Sequence, residues 1–328
     1  PMLARQRGLE PVAGFNLTKH FSLRHNLQDI LKLSRFMESE QIDIVHAHLN
    51  NDHLVGGLAA RRTKRPVKIV RSCYDGESFP RSVRERYLLR KLTDGLLVYS
   101  DWMKNSVQAN GGFPESRIRM IHGAVDTERF DPTRLLPDMR QQLGFDSAGF
   151  VVGIVARIQP QRRFDVLLEA MKLVNQQEPN ITLLIIGRGS KMQWVAVEPV
   201  QRMGLSHCVK FGGYHHDYSY VAVLASLDAK VFLVPGTDGT CRAVREAMTM
   251  GKPIIAAKRG MLPEIVDHGI NGLVIDDTPA NLSEAILLLA RDREKARQMG
   301  LEARKKAQEV YSLSGQARAV ADFYQEIG

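Results

Sequence analysis

The segment Pro235-Gly-Thr-Asp-Gly-Thr-Cys-Arg-Ala-Val-Arg-Glu-Ala-Met248 carries two carboxylates eight residues apart, Asp238 and Glu246, within and beyond a glycine-rich stretch. The pattern predicts a strand, a loop holding Asp238, then a helix over residues 242–250. Gly236 and Gly239 let a ligand come close to the backbone. A helix N-terminus offers unpaired N–H groups and a positive dipole end to an anionic ligand. Eight residues are a little over two turns, so the two acids share a helix face about 12 Å apart. That is too wide for the paired carboxylates of a glycosidase. It suits a long ligand with hydroxyls at both ends, such as a nucleoside diphosphate sugar. A capping Asp followed by a solvated Glu would leave the same letters.

The elements that must hold these residues read as parallel βαβ units, with short β-branched runs alternating with helical patterns. In the first half, strands are expected at residues 42–46, 67–70, 95–99 and 117–122, and helices at 54–62, 84–92 and 102–108, the last capped by Ser100. The alternation lapses between Asp126 and Ser147, apart from a short helix near residues 139–143. It restarts with strands at 150–155, 181–186, 209–211, 229–234, 253–257 and 273–275, and helices at 163–175, 218–225 and 242–250. From Ala280 to Gly328 the pattern is helical. Two successive open α/β sheets imply a cleft between them, with ligands outside the carboxyl ends of the strands. The expected division is a first Rossmann-like domain over 1–133, a second over 134–312, and a terminal helix over 313–328 that returns to the first.

At 328 residues the chain is long enough for two cores, and its 44% hydrophobic and 25% charged content is that of a globular protein. No apolar run is long enough to cross a membrane, and Pro1–Leu9 is followed by no apolar signal region. Cys73, Cys208 and Cys241 are scattered without metal-ligand spacing and read as reduced thiols of a cytoplasmic protein. The net charge of +9 favours anionic partners: phosphorylated small molecules, anionic lipid or nucleic acid. No zinc-finger or RNA-binding signature accompanies it, so nucleic acid is not favoured. Cations cluster at Arg61, Arg62, Lys64 and Arg65, and again from Arg81 to Lys91 among Val83, Tyr87, Leu88, Leu89 and Leu92. The second stretch reads either as a solvated helix with an apolar core face or as a membrane-surface element.

The acidic segment resembles the E-x7-E element of the retaining family-4 glycosyltransferases, with Asp238 in place of the first Glu. The likeness runs on through Glu246-Ala-Met-Thr-Met-Gly-Lys-Pro-Ile-Ile-Ala-Ala257, through Arg259-Gly-Met-Leu-Pro-Glu-Ile-Val266, and through His268-Gly-Ile-Asn-Gly-Leu-Val274. Upstream, Gly153-Ile-Val-Ala-Arg157 with Arg162 resembles the family's G-R-x4-K element, with Arg162 for Lys and Arg163 for the usual Gly. Ile121-His-Gly-Ala-Val-Asp-Thr-Glu-Arg-Phe-Asp-Pro132 resembles the family's linker, and Asp43-Ile-Val-His-Ala-His48 its D-V-V-H-x-H strand. These motifs, in order, span essentially the whole chain. The resemblance implies a GT-B fold, two Rossmann-like domains, and transfer of a sugar from a nucleotide-diphosphate-sugar donor with retention. The donor is a co-substrate, and neither a cofactor nor a metal is implied.

By the same resemblance Arg157 and Arg162 hold the donor diphosphate, Glu246 the ribose and Asp238 a sugar hydroxyl. Backbone at Gly212 and Gly213 faces the base, and Gly187, Gly239, Thr240 and Glu264 complete the donor site. Cleaving a glycosyl–phosphate bond loads charge onto the departing diphosphate, which two guanidinium groups and helix-terminal amides can stabilise without a metal. The chain departs from the family pattern in two places. Pro1–Phe21 lacks the usual N-terminal Gly-rich unit. Where the family often has a His after its second strand, the expected loop reads Arg71-Ser-Cys-Tyr-Asp75, so Tyr74, with His48, is the candidate beside the sugar. His46 and His48 could equally be ordinary loop-entry residues. The acceptor expected for such an enzyme is an anionic envelope glycan or glycolipid, reached by peripheral attachment at the inner face of an anionic membrane. A non-catalytic sugar-nucleotide-binding protein and a sugar-nucleotide epimerase are the alternatives, since a fold does not fix its chemistry.

Overall fold

The computed structural model describes residues 4–5, 8–74, 82–145 and 148–328. Asp75 and Arg81, both named above, lie outside the described residues. The chain divides into two compact units. Among the described residues, the first comprises 4–5, 8–74, 82–121 and 318–328, and the second 122–145 and 148–317.

The first unit holds α1 (Leu23–Ser39), β1 (Ile44–Ala47), α2 (Asn50–Ala60), β2 (Lys68–Cys73), α3 (Val83–Leu92), β3 (Gly95–Val98), α4 (Asp101–Gly111) and β4 (Ile118–Met120). All four strands run parallel in the order β1-β2-β3-β4. Strand β3 shows how the sheet is buried on both faces. Leu96 and Val98 pack with Met103, Val107 and Phe113, while Leu97 faces the other way with Val70, Ile121 and Phe323. The Ser100 hydroxyl accepts from the Met103 amide and caps α4. Helix α1 had no counterpart among the expected elements. Its buried residues Asn26, Asp29, Ile30, Ser34 and Met37 recur at helical spacing, but three of them are polar and mute the apolar signal.

Two first-half expectations change. Arg71, Ser72 and Cys73 are not loop but the end of β2, buried and paired with Leu96, Leu97 and Val98. In α3, Leu88, Leu89 and Leu92 are core residues, whereas Val83 and Tyr87 stay exposed beside Arg84, Arg86, Arg90 and Lys91.

The second unit holds α5 (Met139–Gln142), β5 (Phe150–Val155), α6 (Phe164–Gln177), β6 (Ile181–Ile186), α7 (Glu198–Arg202), β7 (Val209–Gly213), α8 (Asp217–Ala225), β8 (Ala229–Phe232), α9 (Asp238–Thr249), β9 (Ile254–Ala257), α10 (Leu262–Ile265), β10 (Gly272–Ile275), α11 (Pro279–Arg291) and α12 (Arg293–Val310). Helix α13 (Leu313–Ile327) begins in this unit, and its residues from Arg318 onward cluster with the first, where Phe323 is buried. The six parallel strands run β10-β9-β8-β5-β6-β7. Strand β5 lies between β8 and β6, so the chain reverses its direction of travel across the sheet at β5. That reversal opens a crevice at the carboxyl ends of β5 and β8.

The segment 122–133, expected in the first domain, clusters with the second unit, and the boundary falls at 121/122. The reason is packing: Val125 and Phe130 are buried in the second core, and the Val125 amide donates to the Tyr311 carbonyl. Helix α9 starts at Asp238, four residues before its expected start. Thr237 caps it through a reciprocal pair of bonds with Thr240, so Asp238 is the first helical residue rather than a loop acid. The helical tail is three helices, broken at Asp292 and Ser312.

Candidate functional site

A cavity of about 800 Å³ lies in the second unit at the carboxyl ends of β5, β6 and β8. Its lining includes four arginines, Arg157, Arg162, Arg188 and Arg242, and no carboxylate. Gly239 and Thr240 bring the first turn of α9 to its wall. The capping box engages the Thr240 amide, while the Gly239 amide lies in the first turn, where no intrahelical acceptor exists. Fixed cations and a helix N-terminus converging on one space make an anion site.

The loops after β5 and β6 hold this geometry by backbone contact. Ala156 N–H donates to the Ile186 carbonyl at 3.0 Å, and Ile158 N–H to the Arg188 carbonyl at 3.2 Å. A Cβ on Gly187 would lie 2.0 Å from the Ala156 oxygen, and one on Gly189 would lie 2.2 Å from the Ile158 oxygen. Only glycine permits this approach, and Gly187 also has a φ of +143°. The Gly-Arg-Gly stretch therefore seats the Arg157 loop.

Arg162 ends a 3-10 turn at Pro160–Arg162. Its buried Nε has no hydrogen-bond partner. Burial, then the charge of Arg157, lowers its pKa from the ordinary arginine value. Among the described residues neither Arg157 nor Arg162 pairs with a carboxylate, and the two like charges repel. Next to it, Arg163 adopts the left-handed backbone region, φ +58° and ψ +39°, at the position where the family has Gly. That conformation costs about 1–2 kcal/mol for a side-chain-bearing residue, and the Arg163 side chain pairs with Asp277 and Asp165.

Glu246 is buried, with 7% of its surface exposed, and stands behind the lining rather than on it. Its Oε2 accepts from the Tyr220 hydroxyl at 2.8 Å, and its Oε1 pairs with Arg242 Nε at 3.3 Å. Tyr220 and Arg242 both line the cavity. Burial, reinforced by the Glu246 charge, pushes the Tyr220 pKa well up, so the phenol stays a donor. The Arg242 side chain is 69% exposed and free to swing away. Asp238 also lies off the lining, one oxygen bonded to Arg245 at 2.8 Å. Gly212 and Gly213 close β7, where the Gly212 carbonyl accepts from His215 Nε2 at 2.6 Å and His215 lines the cavity. Half-buried Glu264 sits on α10, its carbonyl accepting from Lys306, away from the lining.

His48 and Tyr74 belong to the first unit, at the carboxyl ends of β1 and β2. They meet: His48 Nδ1 and the Tyr74 hydroxyl are 2.6 Å apart. Tyr74 stacks on Tyr99, and His46 bonds both Tyr324 and Ser72, at 2.5 and 2.8 Å. Burial lowers His46 to a pKa of about 4, with the charges of His48 and Arg71 adding to the effect. Burial also lowers His48, against the opposing charge of Asp52.

Of the sequence candidates, Arg157, Arg162, Gly187, Gly239 and Thr240 line one cavity. Sequence reasoning missed Arg188, Tyr214, Tyr220 and Arg242 of that lining, and Arg245 behind it. The last had a signal: seven residues after Asp238 is two helical turns on the same face. Among the described residues no group of three or more His, Cys, Asp or Glu could hold a metal ion, and no helix is long and apolar enough to cross a membrane.

A parallel sheet with a cation-lined cavity at its switch point places the chain among α/β proteins whose ligand site lies at the carboxyl ends of the strands. Residues 137–306 match the family described as Glycosyl transferases group 1, and residues 2–129 match Glycosyltransferase Family 4. The chain belongs to the group 1 glycosyltransferases, and its two units are the Rossmann-like domains of a GT-B fold. The D-inositol 3-phosphate glycosyltransferase of Corynebacterium jeikeium is 29% identical over 88% of this chain and 74% of its own length. UDP-Gal:alpha-D-GlcNAc-diphosphoundecaprenol alpha-1,3-galactosyltransferase of Escherichia coli is 25% identical over 79% of this chain and 69% of its own. Among solved structures, Anabaena HepE in complex with UDP and glucose superposes with a TM-score of 0.80 at 22% identity, over 99% of this chain and 88% of its own. No observation favours the epimerase or the non-catalytic alternative.

Proposed function

We propose that this glycosyltransferase binds a nucleoside diphosphate sugar in the second unit and transfers the sugar, with retention of anomeric configuration, to an anionic acceptor. The observation that carries the reading is the cavity lined by four arginines and no carboxylate, with the first turn of α9 at its wall. Arg157 and Arg162 receive the diphosphate and stabilise its charge as the glycosyl bond breaks, which removes the need for a metal. The Gly239 amide, Thr240 and the backbone at Gly187 complete the phosphate cradle. Glu246 takes the ribose hydroxyls once Arg242 turns outward, and Asp238 takes a sugar hydroxyl. The base lies toward Gly212 and Gly213, under His215 and Tyr214, with Glu264 in a supporting position. His48 and Tyr74 form a hydrogen-bonded pair for the sugar or acceptor. The two curated relatives above have phosphate or diphosphate in their acceptors' names, which supports an anionic acceptor. Exposed cations on α3 support attachment at an anionic membrane face of the cytoplasm.

The test is a thermal-shift panel of UDP-, GDP- and ADP-sugars, followed by release of the nucleoside diphosphate when phosphorylated acceptors are supplied. One nucleotide series should raise the unfolding temperature by mass action, and turnover should survive excess EDTA. Absence of a shift from all three series would remove the donor assignment. Loss of activity in EDTA, restored by magnesium, would remove the metal-free mechanism.

A further inference from the structure

Arg245 is a large, fully buried side chain in the middle of α9, 1% exposed. Both hydrogen bonds of its guanidinium go to one residue. Nη2 donates to the Asp238 carboxylate Oδ1 at 2.8 Å and to the Asp238 carbonyl at 2.9 Å. Its Nε has no partner, and its remaining neighbour is the Tyr311 ring, 5.8 Å from the guanidinium carbon. The backbone at Gly123 closes the other side. A Cβ there would lie 1.7 Å from Asp238 Oδ1 and 2.5 Å from Arg245 Nη2. Among the described residues, Oδ2 of Asp238 has no hydrogen-bond partner, and its side chain keeps 13% exposure.

A buried ion pair adds little net stability, because desolvation offsets the attraction. An apolar side chain at position 245 would avoid that desolvation. The pair instead does something an apolar residue cannot: it ties one carboxylate oxygen and fixes the orientation of the carboxylate. Asp is also one methylene shorter than the Glu of the family element, so its reach depends on how it is aimed.

We infer that Arg245 is a positioning residue that, with the close-packed Gly123 backbone, aims the free oxygen of Asp238 at the donor sugar. The inference rests on the proposed contact between Asp238 and the sugar. Arg245 does not line the cavity, so it acts on turnover through Asp238 and not on the nucleotide.

A double-mutant cycle tests this with Asp238→Asn, Arg245→Met and the combined variant. It reads UDP release from UDP-glucose, or from whichever nucleotide sugar the panel selects, together with UDP affinity and unfolding temperature. Arg245→Met should lower kcat by about 10- to 100-fold, the loss carried by one charge-assisted hydrogen bond. UDP affinity should stay within about twofold. In the Asp238→Asn background the same change should cost no further rate, because both residues act as one unit. Arg245→Lys, which keeps a cation without the forked geometry, should be intermediate, and carries the cycle should the Met variant fail to fold. Additive losses, or an unchanged kcat in both Arg245 variants, would overturn the positioning role. A normal rate in Asp238→Asn would instead overturn the proposed sugar contact, and the inference with it.

Discussion

Replacing Arg162 by Met should separate binding from stability, with opposite signs. Among the described residues the buried Arg162 Nε has no hydrogen-bond partner, and the half-buried side chain is repelled by Arg157. Its removal relieves desolvation and like-charge repulsion, so the ligand-free unfolding temperature should hold or rise. One kcal/mol of relief corresponds to about 2–4 °C for a unit of this size. The ligand loses one charge-assisted hydrogen bond, about 1.5–3 kcal/mol, or roughly 10- to 150-fold in Kd. Because the contact is to the diphosphate, UDP, GDP and ADP should lose the same factor. The difference should narrow at high ionic strength, where the Coulombic part is screened. Calorimetric titration and thermal unfolding of parent and variant read both quantities. Affinities within about threefold of the parent, or a ligand-free stability lowered by more than about 1 kcal/mol, would refute the reasoning.

Gly187→Ala should abolish measurable nucleotide binding while the fold survives, because the new Cβ would push the Ala156 carbonyl and the Arg157 loop outward; an unchanged UDP titration would contradict this. Stability should fall as pH drops from about 6.5 toward 4, because the unfolded chain takes up a proton that folded His46 refuses until about pH 4. His46→Asn should lessen that fall in denaturant melts, the rest belonging to His53, lowered by burial to about 3, and to His48; an unaltered pH profile would count against the burial argument. Reversing Arg84 and Arg90 to Glu should lower co-sedimentation with anionic vesicles at low salt, each lost cation removing about 1 kcal/mol. Absence of binding by the parent protein would point to an acceptor in solution.

Strands β5 and β6 were legible because they are buried on both faces, so Phe150–Val155 and Ile181–Ile186 read as short, β-branched apolar runs. Helix α1 was not, since Asn26 and Ser34 occupy core positions that pattern reading treats as polar. The start of α9 was displaced because Thr237 caps through a Thr at the third helical position, where Glu or Gln is the usual partner. At the site, residues on loops that follow strands were accessible to motif reading: Arg157, Arg162 and Gly187. Tyr220 and Arg242 were not, because they come from helices whose spacing is ordinary and whose role depends on tertiary placement beside Glu246. The domain boundary depended on Val125 and Phe130, whose apolar character says nothing of which core they join.

A crystal structure with the preferred nucleoside diphosphate bound should place the diphosphate in the arginine-lined cavity of the second unit. Its oxygens should lie within hydrogen-bond distance of Arg157, Arg162 and the Gly239 amide, with Arg242 turned away from Glu246 and the ribose hydroxyls in its place. A diphosphate bound elsewhere, or a ribose that leaves the Glu246 contacts to Tyr220 and Arg242 intact, would contradict that arrangement.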